Sequence, residues 1–402
     1  MQLRLLSLLM MIVVLSPIAI DIYLPSMPVM ATEFGVSSSE IQSTLALFLF
    51  AMGLGQIIIG PLADKYGRRP VVLAGISLYI ISSLIAVFSY NFSYLQFSRV
   101  LQGLAACAAS IVVFSAVRDR FSPKDCAKVY SYLNGAICVI PALAPTFGGL
   151  LALQFGWRSN FLFMALYGLA VLCVISFTFK ETRPETTVSE GALYRWARYK
   201  PVISNSHFMF YAFTCMSGMA AILCYVSYSP VWLIERLGLS TLSFSALFGL
   251  NAAINIAACF TAPLVIKALG NRTTVIVAQL LLLISAVALL ALYYYGSHSG
   301  LIGALSFMLP MMFLCIGFAL LLGPATSMAL AGFGDRAGTA TAVLGFIQMS
   351  GASVITALVQ QTELDAPLAV AMVLGVLSSG FLVVMMLNRF AKWHREPTNA
   401  FI

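Results

Sequence analysis

Gly60-Pro61-Leu62-Ala63-Asp64-Lys65-Tyr66-Gly67-Arg68-Arg69 is a short basic turn between two apolar runs, each long enough to cross a bilayer. The turn recurs once. Pro263-Leu264-Val265-Ile266-Lys267-Ala268-Leu269-Gly270-Asn271-Arg272 repeats it with one insertion, and Ile266 stands where the first copy has Asp64. Working outward from the two turns, twelve stretches read as membrane-spanning helices: 5–31, 41–62, 70–90, 94–117, 127–152, 159–179, 207–231, 241–266, 273–295, 300–324, 337–360 and 366–388. The turns stand six stretches apart. The expected fold is therefore an all-α membrane protein of two pseudo-symmetric six-helix bundles, 1–179 and 207–402, joined by a cytoplasmic linker over 180–206. Chance likeness of two basic turns is the alternative. Parallel repeats of this kind place a substrate site near the midplane between the halves.

Composition supports the same reading. Of 402 residues, 61% are hydrophobic and 9% charged, with a mean hydropathy of +0.96. A soluble domain carries about a quarter charged residues, so a bilayer must cover this surface. The net charge of +8 comes from scattered bases and does not form a nucleic-acid face. All Lys and Arg residues except Arg99, Arg158 and Arg236 fall in segments on the side of the N-terminus. Basic loops stay in the cytoplasm, so both termini are expected there. The first run continues past Ser16-Pro17 to Asp21 without a small-residue cleavage site, which argues for a span over a cleaved leader.

No G-x-x-x-x-G-K-[ST] phosphate loop occurs, no nucleophile–base spacing stands out, and the three histidines are far apart. Neither an enzyme, nor a cofactor, nor a metal site is expected. The eight cysteines show no C-x-x-C spacing, and those inside spans read as small hydrophobes.

Two charges remain inside spans. A carboxylate there is costly unless paired, hydrated or protonated, so Asp21 is a candidate proton carrier. The alternative places Asp21 at the outer end of its helix, in interfacial water, with Pro25 and Pro28 marking that end. Arg99 cannot realistically lose its proton. It either supplies a fixed charge to a proton- or substrate-binding cavity, or bonds helices together through neighbouring carbonyls and Gln102 or Asn134.

The residues quoted above also carry a resemblance. Gly60 to Arg69 resembles the 2–3 loop signature of the major facilitator superfamily, and Leu95-x-x-x-Arg99-x-x-Gln102-Gly103 resembles its helix 4 signature. Pro145-x-x-Gly148-Gly149 resembles the end of the exporter motif in span 5, although Ala144 and Ile140 stand where exporters carry glycine. Asp21-Ile22-Tyr23-Leu24-Pro25, Val117-Arg118-Asp119 and Ala337-Gly338-Thr339-Ala340 are similar to the Bcr/CflA drug:proton antiporters. Relatives with two acids in the first span are matched at Asp21, while Val13 occupies the other position.

The resemblance implies a proton-coupled exporter of small lipophilic molecules, working by alternating access. It further implies a gate at Gly60, Asp64, Gly67, Arg68, Arg69 and Asp119, with Pro145, Gly148 and Gly149 in span 5. Arg68 would pair with Asp119, and Asp64 would face the start of span 11 near Asp335-Arg336-Ala337. For the cavity, Tyr23, Tyr130, Asn134, Tyr225, Tyr228, Asn251 and Gln348 offer aromatic faces and amides suited to neutral compounds. The same residue types also serve as helix contacts. Expected partners are a small-molecule substrate, protons and lipid, with the chain monomeric. A dedicated exporter of an endogenous metabolite and a proton-coupled uptake symporter are the competing readings.

Overall fold

The computed structural model describes residues 2–184, 194, 196–296, 299–333, 336–387 and 390–394. Much of the expected linker (185–193 and 195), with His298, Asp335, Arg389 and Arg395, lies outside the described residues. The chain is 89% helical, and no strand occurs among the described residues.

Among the described residues, twelve helices are long and apolar enough to span a membrane. They are α1 (Leu3–Phe34), α2 (Ser38–Tyr66), α3 (Arg68–Val87), α4 (Phe92–Arg120), α5 (Pro123–Phe155), α6 (Arg158–Thr178), α7 (Ser206–Arg236), α8 (Thr241–Leu269), α9 (Asn271–Tyr295), α10 (Gly300–Leu330), α11 (Ala337–Gln360) and α12 (Ala366–Met386). The protein is a multi-pass membrane protein. Several helices outrun the apolar stretches. At 1.5 Å per residue, the 29 residues of α2 reach roughly 44 Å, well beyond a hydrocarbon core of about 30 Å. Large apolar side chains such as Phe177 and Tyr295 are almost fully exposed, a surface that only lipid can cover.

Helix starts follow local chemistry. Ser37 and Glu40 form a reciprocal capping box at α2, and Asn91, Ser122, Asn205 and Ser240 accept from the third backbone N–H of the helices they open. Gly67 (φ +102°) and Gly270 (φ +77°) make the two repeated turns, a backbone region where a side chain is strained. Their ψ angles agree at 162°, so the sequence repeat is also a conformational one.

The chain divides into two compact units, Met1–Arg195 and Trp196–Ile402. The short helix Trp196–Ile203 lies within the expected linker but belongs to the second unit, where it packs against the start of α11. In the first unit α4 is central, packed between α2 and α3. Gly103 brings α4 so near α2 that a Cβ would lie 2.2 Å from the Phe48 carbonyl oxygen, and Gly75 sits equally tightly against Ala108. In the second unit α10 holds the matching place, against α7, α8 and α9.

Among the cysteines, Cys107, Cys215, Cys224 and Cys315 are buried as small hydrophobes, whereas Cys173 is exposed on α6. That face of α6 looks outward from the unit, where Leu166, Leu169 and Val174 are exposed as well.

Candidate functional site

The first span is not one continuous helix. Regular α-geometry over Leu15–Asp21 gives way at Ile22 and Tyr23 to a 3-10 turn, Leu24–Ser26, and resumes over Met27–Phe34. Pro25 and Pro28 each sit in a first helical turn, where the missing N–H costs nothing. They restart the helix rather than end the span. Asp21 thus lies at an interior break with thirteen residues of α1 still to come, and it is 3% exposed. Its carboxyl has no side-chain hydrogen bond or ion pair among the described residues, unlike the comparably enclosed Asp119 side chain, which Arg68 neutralises. The break is braced from α5. A Cβ on Gly148 would lie 1.7 Å from the Ile22 carbonyl oxygen, so only glycine lets α5 cross α1 at this point. Pro145 and Gly149 are buried on the same helix.

Arg99 is wholly enclosed on α4. Its guanidinium is sandwiched between the rings of Tyr23 (4.7 Å) and Phe48 (4.5 Å), bonds to Gln102 Oε1, and reaches the Thr44 carbonyl at 3.5 Å. From there a polar chain runs through the unit. Gln102 Nε2 donates to Ser83 Oγ at 2.8 Å, Ser83 donates to the Tyr79 carbonyl, and Tyr79 OH donates to the Leu15 carbonyl of α1 at 3.0 Å. Tyr23 OH and Thr44 Oγ1 lie 3.1 Å apart, and Tyr23 packs on Phe161 of α6. Of the two readings open for Arg99, these contacts match helix bonding through Gln102 and a carbonyl. One guanidinium nitrogen, Nη2, has no hydrogen-bond partner among the described residues. Asn134 takes no part in this cluster and is exposed. Tyr130 packs at a tilt against Phe114 instead, fifteen residues or roughly 22 Å along α4 from Arg99.

At the end of the unit where α2 meets α3, Arg68 is 3% exposed. Its Nη1 contacts Asp64 Oδ1 at 2.6 Å and its Nε contacts Asp119 Oδ2 of α4 at 3.0 Å. Asp64 is itself half exposed. Glu181, just beyond α6, is a residue that sequence patterning did not single out. Its carboxylate accepts from the backbone N–H groups of Arg68 (2.9 Å), Arg69 (3.1 Å), Thr182 and Arg183. Burial alone would push the Glu181 carboxyl up, but these four donors outweigh it and hold the group below the usual glutamate value. Gly67 makes room for it, since a Cβ there would lie 2.5 Å from Glu181 Oε2. Arg69 donates to the carbonyls of Phe179 and Ser176, and Arg183 to those of Asp64 and Lys65. Nothing in the sequence set Glu181 apart, since Glu185 and Glu190 lie in the same basic segment. Gly60, one turn before Asp64, has open space where a side chain would stand.

In the second unit the candidate residues form a smaller cluster. Asn251 Nδ2 donates to Tyr225 OH and to the Met308 carbonyl, each at 3.2 Å, while Tyr225 stacks on Phe248 at 5.4 Å. Tyr228 is buried one turn further along α7. Gln348 is half-buried in a π-helical turn of α11, Ile347–Gly351.

Comparison with known proteins matches this geometry to a family. A profile described as Major Facilitator Superfamily covers residues 9–356. The chain is 31% identical over 389 residues to the "Multidrug resistance protein MdtL" of Klebsiella pneumoniae subsp. pneumoniae, spanning 96% of each chain. It is 31% identical over 387 residues to the protein of that name from Escherichia coli O157:H7, spanning 96% of this chain and 95% of the relative. Its fold is shared with a D-xylose-proton symporter (TM-score 0.74, 16% identity, 98% of each chain). It is shared too with a bacterial homologue of the human lysosomal transporter Spinster (TM-score 0.77, 16% identity, 99% of each chain). With twelve spans, a repeated basic turn and a matching profile over most of its length, the chain belongs to the major facilitator superfamily and is a transporter.

Proposed function

We propose that the protein exports small, lipophilic, drug-like molecules in exchange for protons, by alternating access, from a bacterial inner membrane in which both termini face the cytoplasm. The observation that carries this reading is Asp21, a carboxyl buried at a helix break with no cation paired to it. A buried, unpaired carboxylate is costly, which favours the protonated form and makes the group a carrier that changes state when water reaches it. Relatives named for multidrug resistance over nearly the full chain support the export direction and the breadth of substrate. Each inward proton yields about 2.3 kcal/mol per 100 mV, enough for a roughly 50-fold gradient of a neutral substrate at one-to-one exchange.

In this reading Arg99 holds α1, α2 and α4 in register around the break, and its fixed charge biases Asp21 from a distance. Gly148 lets α5 bear on the same break. The Asp64–Arg68–Asp119 ion pairs and the Glu181 clasp act as the gate at the cytoplasmic end. The functional unit is one chain, with its cargo and protons meeting in the lipid-embedded core.

The test is substrate-induced proton release from the purified protein. Wild type releases protons on adding a transported drug such as chloramphenicol, and Asp21→Asn releases none while remaining folded. Wild-type release by that variant removes the proposed carrier. Inverted vesicles with an imposed pH gradient check direction, because a symporter would accumulate substrate with the proton gradient instead of against it.

A further inference from the structure

Two buried donors on α7 have nothing to bond to. Tyr228 OH and Trp232 Nε1 lie in residues 6% and 8% exposed, and neither has a hydrogen-bond partner among the described residues. An indole N–H can only donate. Unmet donors in an enclosed site point to something that binds there.

Position supports the same idea. Tyr228 and Trp232 are four residues apart, so they share one side of α7. On the turn before, Cys224 meets Thr356 of α11 and Tyr225 meets Asn251 of α8. By helical spacing Tyr228 points between these two contacts, toward the interior of the second unit. The backbone changes here as well. After Pro230, α7 runs as a π-helical turn, Val231–Arg236. The other π-helical turn among the described residues is Ile347–Gly351 of α11, which packs on α7. Such turns occur frequently at functional sites. None of the buried residues described in this unit is Asp, Glu, Lys or Arg, so the surroundings suit an uncharged group.

We propose that Tyr228 and Trp232 form a two-donor subsite that recognises a neutral oxygen acceptor on the transported molecule: a ketone, ester, amide or nitro oxygen. This deepens the export reading by naming the chemical feature of the cargo, and it rests on that reading only in treating the ligand as cargo.

The test compares benzophenone with diphenylmethane, two ligands of nearly the same shape with and without a carbonyl. Equilibrium dialysis against the full chain in lipid nanodiscs measures affinity, and the infrared carbonyl stretch of bound benzophenone reports hydrogen bonding. Wild type is expected to bind the ketone about tenfold more tightly than the hydrocarbon. Tyr228→Phe and Trp232→Phe should each weaken ketone binding several-fold without changing that of diphenylmethane, and the double variant should return the stretch to its value in hydrocarbon. Equal binding of the two probes by wild type overturns the subsite. So does an unchanged preference and stretch in the double variant, which would mean that water satisfies both donors. Drug accumulation in cells tests export separately. A protein that prefers the ketone but exports nothing leaves the subsite standing, and an exporter without the preference does the opposite.

Discussion

The two repeated turns share a backbone and almost nothing else. Around Gly67, Arg68 pairs with Asp64 and Asp119, and the Glu181 carboxylate caps the first N–H groups of α3. Around Gly270, a Cβ would meet open space, Ile266 replaces the acid, and among the described residues Arg272 reaches His394 Nδ1 at 3.4 Å. The cores differ in the same direction. Asp21, Arg68 and Arg99 are buried in the first unit, while the second buries hydroxyls, amides and two histidines. Duplicated architecture thus carries unequal chemistry. Among the described residues the buried charges lie in the first unit, and the second buries only uncharged polar groups and histidines. In the proposed function this assigns proton work to one and neutral recognition to the other.

That contrast can be broken. Its sharpest test is Asp21→Asn, which should lower proton-driven efflux by at least about 100-fold, a loss on the scale of removing an essential acid or base. Gln279→Leu in the second unit, which removes a neutral bond to Ser217, should cost only a few-fold. Comparable losses in vesicle transport assays would erase the division of labour.

Next in size is Arg68→Ala, which strands Asp119, 7% exposed, without a cation. Breaking a buried pair costs about 3 kcal/mol, so the thermal midpoint in detergent should fall by several degrees. Arg272→Ala should move it by less than half as much. Gly67→Ala against Gly270→Ala sharpens the comparison further. Both must hold a strained positive φ at about 1–2 kcal/mol, but Gly67→Ala also drives a methyl into Glu181 and should be the worse of the two in the same melt.

The smallest effect belongs to Glu181→Gln, which keeps an acceptor but loses the charge facing the N-terminus of α3. A loss near 1 kcal/mol or less is expected at neutral pH. Because the carboxyl is lowered in the folded protein, its contribution is complete above the unfolded value and disappears as pH falls through the folded one. Stability of wild type relative to Glu181→Gln should therefore be flat from pH 6 to 8 and converge only under acid conditions.

Much of the fold was legible because apolar length is a strong signal: the twelve stretches and the repeat needed no tertiary information. Boundaries were less so. Pro25 and Pro28 offered an outer end for the first helix, whereas each sits in a first helical turn within a span that runs on to Phe34, a choice that packing decides. Asp21 and Arg99 stood out as charges in apolar runs. Tyr130 and Asn134 share the residue types of Tyr23 and Asn251, but their helix faces lead elsewhere. Glu181 gave no distinct sign, because its partners are backbone N–H groups, and Trp232 gave none, because an unmet donor shows only once its surroundings are built.

Sequence alone determined that the chain must live in a bilayer, cross it twelve times and repeat itself, since hydrophobic area and helix rise leave no other economy. Tertiary structure decided which charge meets which. A carboxylate in a basic loop and a glycine in an apolar helix acquire a role only when another helix approaches within hydrogen-bonding distance, and that approach is a property of packing.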